Sequence, residues 1–155
     1  MEIEIHGKAS LDELKRIGLN VFLPETKCQR YYLPFPDFRT SGQITKNFNV
    51  REYRCKGGSA CCGGAGPISF ELVHYHQKLR DELGIPLTIT SGFRCMVHNK
   101  RIGGAVNSLH TQGLAGDIAL PKGMTVPDFA AVAKEVGIPF VLEYPWGIHT
   151  DVRRW

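Results

Sequence analysis

The sequence predicts an α+β domain in which a central antiparallel sheet is flanked by helices. Two segments have the apolar spacing and the end signals of helices, residues 69–84 and residues 125–137. Three shorter stretches have the apolar and β-branched composition of strands: residues 86–94, 114–120 and 140–155. These five segments together predict the fold class.

The helix over residues 69–84 is the clearest element of the sequence. Ser69 is a favoured N-cap residue, and Gly84 ends the apolar pattern. The apolar residues expected to face inward are Phe70, Leu72, Val73, Leu79 and Leu83. His74 and His76 are two positions apart on this helix, so their side chains point in different directions. We expect both histidines to be partly exposed rather than to bind a ligand.

The shorter elements follow in order. The strand over residues 86–94 is expected to bury Leu87 and Ile89, and residues 95–102 predict a short helix. The last helix is opened by Thr125 and the chain beyond it is rich in strand-forming residues.

The N-terminal part of the chain is less regular. We expect residues 1–44 to form an accessory segment that is not independent, and residues 45–155 to form the main domain. Residues 1–6 alternate as a short strand, and residues 10–18 have a capping box and a closing glycine that predict a helix. Prolines and glycines punctuate residues 23–66, which predicts irregular structure there.

Composition and charge exclude several classes of protein. A chain of 155 residues that is 43% hydrophobic and 22% charged fits one soluble domain with a real core. The net charge of +4 comes without any recognition motif, so no nucleic-acid partner is predicted. No stretch approaches the roughly 20 apolar residues of a transmembrane helix, and the first residues do not resemble a signal peptide. We expect a monomer that is made in the cytoplasm and has no membrane partner.

Five cysteines are present, at positions 28, 55, 61, 62 and 95. An odd number argues against a complete disulfide framework. The spacing C-x5-C-C from Cys55 differs from that of a standard zinc knuckle. Buried thiols or one disulfide are therefore favoured over a second, structural zinc site made by Cys28, Cys55 and Cys61 or Cys62.

Residues with metal-binding side chains are concentrated in the second half of the chain. His110, Asp117 and His149 provide two imidazoles and one carboxylate. With water in a fourth position, such a set is common in catalytic zinc sites. The spacing of the three residues is not helical, so strands and turns must bring them together.

These residues belong to a longer pattern that resembles the zinc D-alanyl-D-alanine carboxypeptidase family, peptidoglycan enzymes that share a fold with the hedgehog signalling domain. The family pattern S-x-H-x-x-G-x-A-x-D, followed much later by H-x-D, reads here Ser108, His110, Gly113, Ala115, Asp117, His149 and Asp151. The upstream motifs S-G-[FY]-R and N-x-x-[IV]-G-G are matched by residues 91–94 and 99–104. The resemblance covers residues 45–155 and is specific, because six separated elements occur in the right order.

The resemblance implies a hedgehog/DD-peptidase-like fold and a Zn²⁺ ion held by His110, Asp117 and His149. It also implies a peptidoglycan peptidase that hydrolyses an amide bond in the cell-wall stem peptide, of the D-Ala-D-Ala carboxypeptidase or the endopeptidase type. The absence of a recognisable signal peptide suits a phage or prophage enzyme that acts on the wall after its release.

The general base is where the sequence departs from the family pattern. Carboxypeptidases of this family have a glutamate three residues before the last histidine, where this chain has Trp146. Glu143, six residues before His149, is placed like a glutamate of the hedgehog domain. Asp151 is two residues after His149, on the same strand face and about 6.5–7 Å along the strand. Both carboxylates are candidates for the base, and for Asp151 we favour the orienting of a ligand histidine.

Three residues are expected to contact the substrate. The resemblance implies that Arg94 binds substrate or stabilises the developing oxyanion, and its guanidinium fork matches a carboxylate. Ser108 is expected to hydrogen-bond the substrate or the backbone of the site. Trp146 is expected to contact the substrate.

Two other functions fit parts of the pattern. The missing glutamate at position 146 would suit a zinc-containing module that binds the wall or a partner without catalysis. His149 and Asp151 also spell the H-x-D of non-haem iron oxygenases, whose facial triad is two histidines and one carboxylate. In those enzymes H-x-D comes before the distant histidine, the reverse of the order here, so the zinc peptidase is the favoured function.

Overall fold

The computed structural model of the protein describes residues 19–23, 28–32, 42–57 and 66–153. The strand and the helix predicted before residue 19 lie outside these residues, as do the cysteines at positions 61 and 62. The division of the chain at residue 44 stays a prediction.

A four-stranded antiparallel sheet is the centre of the described structure. Its strands are β3 (Ile89–Ser91), β4 (Ala115–Ala119), β5 (Phe140–Tyr144) and β6 (Gly147–Asp151). They lie in the order β3-β4-β6-β5, so β4 and β6 are the two inner strands. Together with the helices around it, this sheet confirms the predicted α+β fold.

Three α-helices in the described part of the chain accompany the sheet: α1 (Phe70–Leu83), α2 (Met96–Arg101) and α3 (Val126–Glu135). The end signals of α1 act as predicted. The Ser69 side-chain oxygen accepts a hydrogen bond from the Leu72 backbone N–H, and Gly84 ends α1 with a left-handed φ of 67°. No helix in the described ranges is long and apolar enough to cross a membrane.

The core lies between the sheet and the helices α1 and α3. Its fully enclosed side chains include Leu72, Leu79, Ile118, Phe129 and Ile148. Each buried side chain of this size contributes about 1.5–3 kcal/mol relative to an exposed one. Leu87 and Ile89 are buried as predicted.

Part of the stretch predicted to be irregular is regular, so that prediction was wrong. Inside this stretch, Cys28–Tyr32 forms β2, which pairs in an antiparallel hairpin with β1 (Leu19–Leu23), a strand that lies almost entirely before the stretch. Further on, a first 3-10 helix covers Val50–Tyr53 and begins with a capping box. The prolines and glycines mark where these short elements end, and elements of four or five residues are too short to show a clear period.

The expectation that His76 is partly exposed was also wrong. Its side chain is completely buried, and it lies between the hydroxyl groups of Tyr53 and Thr150, each 2.8 Å from a ring nitrogen. Burial in these surroundings lowers the pKa of His76 to about 3. The imidazole is therefore neutral in the folded protein.

Acid is expected to weaken the fold through His76. Its pKa is about 6.5 in the unfolded chain and about 3 in the folded one, so the unfolded state takes up the proton first. The contribution to stability is full above pH 6.5 and is lost, by about 1.4 kcal/mol per pH unit, as the pH falls towards 3. Urea unfolding of the metal-free protein at several pH values measures this slope. It should be steeper in the wild type than in His76→Gln, and equal slopes would contradict the assignment.

Candidate metal centre

Two neighbouring strands and one helical turn bring the three predicted ligands together. Asp117 is in β4 and His149 is directly opposite it in β6. His110 is in a second 3-10 helix, Leu109–Gln112, which lies immediately before β4. Gly113 ends that helix with a φ of 72°, and a Cβ atom there would lie 2.3 Å from the carbonyl oxygen of Pro67. Glycine is therefore required for the tight turn that returns the chain to β4.

One atom of each residue points to the same place. The Oδ1 atom of Asp117 is 2.9 Å from His149 Nδ1 and 3.1 Å from His110 Nε2. The two nitrogens are 3.3 Å apart. All three side chains are largely buried, with 4% to 16% of their surface exposed. The structure thus groups the ligand set that the sequence predicts.

The far nitrogen of each imidazole has a partner of its own. His110 Nδ1 is 2.9 Å from the carbonyl oxygen of Gly92, an atom that can only accept. His149 Nε2 is 2.9 Å from Asp151 Oδ2. These outer hydrogen bonds place the ring proton on the far nitrogen in each neutral imidazole, so both inner nitrogens offer a lone pair. Together with the Asp117 oxygen, three electron-rich atoms converge.

This arrangement fits a zinc ion. Ligand atoms about 2.0–2.1 Å from zinc in a tetrahedron are about 3.3 Å from each other, close to the three separations found here. Lone pairs that face each other need a cation between them, and imidazole and carboxylate are ligands that zinc accepts. The residues present therefore match the metal that the resemblance implies.

Without a metal, the same atoms share protons. Burial would raise the pKa of Asp117, but hydrogen bonds from His110 and His149 outweigh burial and hold that pKa at about 2. Burial would lower the pKa of His149, but hydrogen bonds to Asp117 and Asp151 raise it to about 9. A metal ion and a proton thus compete for the same lone pair on His149.

Asp151 is a fully enclosed carboxylate whose oxygens are both engaged. Its side chain is 0% exposed. Oδ1 accepts from the backbone N–H and the Nε of Arg153, and Oδ2 accepts from another guanidinium nitrogen of Arg153 and from His149. The Arg153 guanidinium also lies 3.5 Å from the centre of the Phe140 ring. This chain of contacts fixes the orientation of the His149 ring.

Arg94 is beside the ligand cluster. One terminal nitrogen is 4.0 Å from Asp117 Oδ2, and the two terminal nitrogens donate to Asn99 Oδ1 and Ser91 Oγ. Its Nε is buried and has no hydrogen-bond partner among the described residues. Asn99 in turn donates to the Ala105 carbonyl. The two upstream motifs, residues 91–94 and 99–104, therefore contact each other through the hydrogen bonds that hold Arg94.

Ser108 has a local role in the structure. It is the N-cap of the second 3-10 helix. Its hydroxyl oxygen accepts a hydrogen bond from the backbone N–H of His110, at 3.3 Å from the nitrogen. This contact is with the backbone of the site, one of the two roles predicted for this residue.

A cavity of about 560 Å³ opens next to the cluster. Its residues include the three ligands, Arg94, Ser108, Asp151 and Arg153, and also Phe140, Leu142, Tyr144 and Trp146. The rings of Tyr144 and Trp146 are stacked, with centres 4.9 Å apart and planes at 9°. One wall of the cavity is thus polar and the other is largely aromatic.

Glu143 is not among the residues that line this cavity. Phe140, Leu142 and Tyr144 alternate along β5 on the cavity side, and Glu143 belongs to the other set. It is exposed and pairs with Ile148, not with His149. The structure therefore brings Asp151 to the ligand cluster and does not bring Glu143 there.

Fold and site together define a class, an α+β domain in which two histidines and an aspartate that could hold a metal ion lie beside a cavity. A family model described as Peptidase M15 matches residues 46–150. The match covers more than half of the chain, so the protein belongs to this family, the zinc D-Ala-D-Ala carboxypeptidase-like peptidases, and the sequence resemblance is confirmed. Membership supports a peptidase role. No curated protein sequence matches the chain significantly.

Sequence reasoning missed several residues of the site. Gly92 orients His110 through its main chain, where the side chain gives no signal. Phe140 supports Arg153 from a neighbouring strand, and that contact depends on the pairing of β5 with β6. The strand period does place Arg153 on the face of His149 and Asp151, but its ion pair with Asp151 was not predicted.

Replacement of Asp151 by asparagine is expected to weaken zinc binding about 10- to 100-fold, because the outer carboxylate of a ligand histidine would be lost. Glu143→Gln is the matched control: it also exchanges one acid for its amide, and zinc binding should stay unchanged. Competition with a chromophoric chelator measures both dissociation constants. Equal affinities in the two variants would contradict an orienting role for Asp151.

Proposed function

We propose that the protein is a zinc-dependent peptidase that hydrolyses an amide bond in the peptidoglycan stem peptide, as a D-Ala-D-Ala carboxypeptidase or an endopeptidase. One observation carries this proposal: three lone pairs from His110, Asp117 and His149 converge at the edge of a cavity. When bound there, zinc lowers the pKa of its water towards about 7 and polarises a carbonyl group. Membership of the Peptidase M15 family supports the choice of an amide bond.

The residues of the polar wall have distinct roles in this proposal. Arg94 binds the carboxylate of the peptide or the oxygen that becomes negative during attack. Its fork geometry suits both groups. Asp117 lies 4.0 Å away and partly balances the charge of Arg94, so the guanidinium is held at the ligand cluster.

Asp151 and Glu143 differ in their suitability as the base. Asp151 accepts four N–H groups, which leaves its lone pairs occupied and suits the orienting of His149. Glu143 is free of the cluster but lies on the other side of β5. In this proposal Asp151 is a positioning residue. That Glu143 takes the proton from water stays a prediction, and the turnover of Glu143→Gln tests it directly.

The aromatic wall would contact the uncharged part of the substrate. Tyr144 and Trp146 present stacked rings at the cavity and are 39% and 45% exposed. Methyl groups of alanine residues are the apolar part of a stem peptide, and an aromatic face shields them from water. In this proposal the protein acts on the bacterial cell wall. That it originates from a phage or prophage stays a prediction.

Incubation of the purified protein with peptidoglycan stem peptides, followed by mass spectrometry, tests the function. We expect cleavage that stops with a zinc chelator and returns when zinc is added, and the fragment masses identify the bond. Chelator could also unfold the protein, so circular dichroism with and without zinc is the control. A folded, zinc-loaded protein that leaves every stem peptide intact would contradict the proposal and favour a binding module.

Arg94→Lys keeps the positive charge but removes the fork, so kcat/KM should fall by about 100-fold or more. Arg101→Lys, an exposed position on α2, is the matched control and should retain full activity. Zinc content should be the same in both variants, and circular dichroism should show that both are folded at the assay temperature, which separates loss of substrate contacts from loss of the fold. Normal turnover of Arg94→Lys would exclude Arg94 from the reaction.

A further inference from the structure

Tyr53 is far from the metal ligands in the sequence, in the first 3-10 helix, and is outside the cavity. Only 1% of its surface is exposed. Its main chain and its hydroxyl group each begin a short series of contacts, and both series end at the metal centre.

The main-chain series leads to His110. The carbonyl oxygen of Tyr53 accepts the N–H of Phe93 at 2.8 Å, which fixes the main chain around Gly92. Gly92 packs so closely that a Cβ atom at this position would lie 2.5 Å from the Cα of Tyr53. The carbonyl oxygen of Gly92 then accepts the Nδ1 proton of His110. Tyr53 thus supports the atom that orients the first ligand.

The side-chain series leads to the strands that hold the other two ligands. The hydroxyl group of Tyr53 is 2.8 Å from His76 Nδ1, and His76 Nε2 is 2.8 Å from Thr150 Oγ1. Thr150 donates its only hydroxyl proton to the Gly116 carbonyl at 2.6 Å. It must therefore accept from His76, and His76 must accept from Tyr53. Every donor in this buried series has an acceptor.

The end of this series lies directly beside the ligands. Gly116 comes immediately before Asp117, Thr150 comes immediately after His149, and the two residues are paired across β4 and β6. A Cβ atom at position 116 would lie 2.5 Å from the His76 ring, so the imidazole packs directly on the strand. A shift of His76 would therefore move the segment that sets the distance between Asp117 and His149.

We propose that Tyr53 is a positioning residue for the metal centre: its main chain holds the Gly92 carbonyl that orients His110, and its hydroxyl, through His76 and Thr150, holds the main chain beside Asp117 and His149. This inference rests on the proposed zinc site and does not depend on the substrate. The low pKa of His76 agrees with it, because the series requires a neutral imidazole.

Tyr53→Phe tests the proposal, since it removes the hydroxyl group and leaves the ring and the main chain. We expect the zinc dissociation constant to rise about 10-fold, at the lower end of the range for residues that support metal ligands. The visible spectrum of the Co²⁺-substituted protein should change as well, because it reports ligand geometry. Neither readout requires a substrate.

Phe129→Leu is the matched control. Phe129 is a fully buried residue of α3 whose side chain makes no hydrogen bond, so the change weakens the core and leaves every hydrogen bond of the series in place. It should lower the melting temperature of the metal-free protein and leave both zinc affinity and the Co²⁺ spectrum as in the wild type. The alternative is that zinc affinity falls in proportion to stability in both Phe129→Leu and Tyr53→Phe. That result would show that Tyr53 contributes only to general stability, and it would overturn the proposal.

A second pair of variants follows the same series at its other end. Thr150→Val removes the hydroxyl group at nearly constant volume and should also raise the zinc dissociation constant, whereas Thr150→Ser keeps the hydroxyl and should restore most of the affinity. Wild-type affinity and spectrum in both Tyr53→Phe and Thr150→Val would overturn the inference alone. Failure of the wild-type protein to bind zinc or Co²⁺ would overturn the proposed metal centre with it.

Discussion

The pairing of β4 with β6 is the interaction on which the candidate metal centre depends, because it sets Asp117 directly across from His149. Side chains alternate along a strand, so a slip by one residue would turn His149 into the core and Ile148 towards the cavity. Ile118 and Ile148 are completely buried, and exposing either would cost about 1.5–3 kcal/mol. The hydrophobic core therefore fixes the register, and the register assembles the ligands.

Buried charge is the second constraint. Asp117 and Asp151 are both enclosed beside His149, and an uncompensated buried carboxylate costs several kcal/mol. Arg153 compensates Asp151 through paired hydrogen bonds, while Asp117 relies on the two histidines and on Arg94. With a pKa of about 9, His149 carries a proton on both ring nitrogens, and thus a positive charge, at neutral pH in the metal-free protein. A bound cation would replace that proton, so the pocket is compensated in either state.

The sequence was sufficient for features that depend on local spacing and end signals, such as the helix that begins after Ser69. The grouping of His110, Asp117 and His149 followed from the family pattern and not from local spacing. The sequence was insufficient where the partner is distant in the chain. The burial of His76 depends on Tyr53 and Thr150, which are 23 and 74 residues away. The position of Glu143 depends on which face of β5 meets the cavity, and a count of six residues before His149 contains no such information.

The two walls of the cavity differ in a way that would orient a peptide. Arg94 and the ligands form a charged side, while Tyr144 and Trp146 form an uncharged side that offers no ionic partner. A peptide carboxylate would lose hydration against the aromatic rings but would gain paired hydrogen bonds at the guanidinium. In the proposed function, the favourable orientation would therefore direct polar groups of the peptide, including the carbonyl next to the carboxylate, towards the side where the lone pairs of His110, Asp117 and His149 converge.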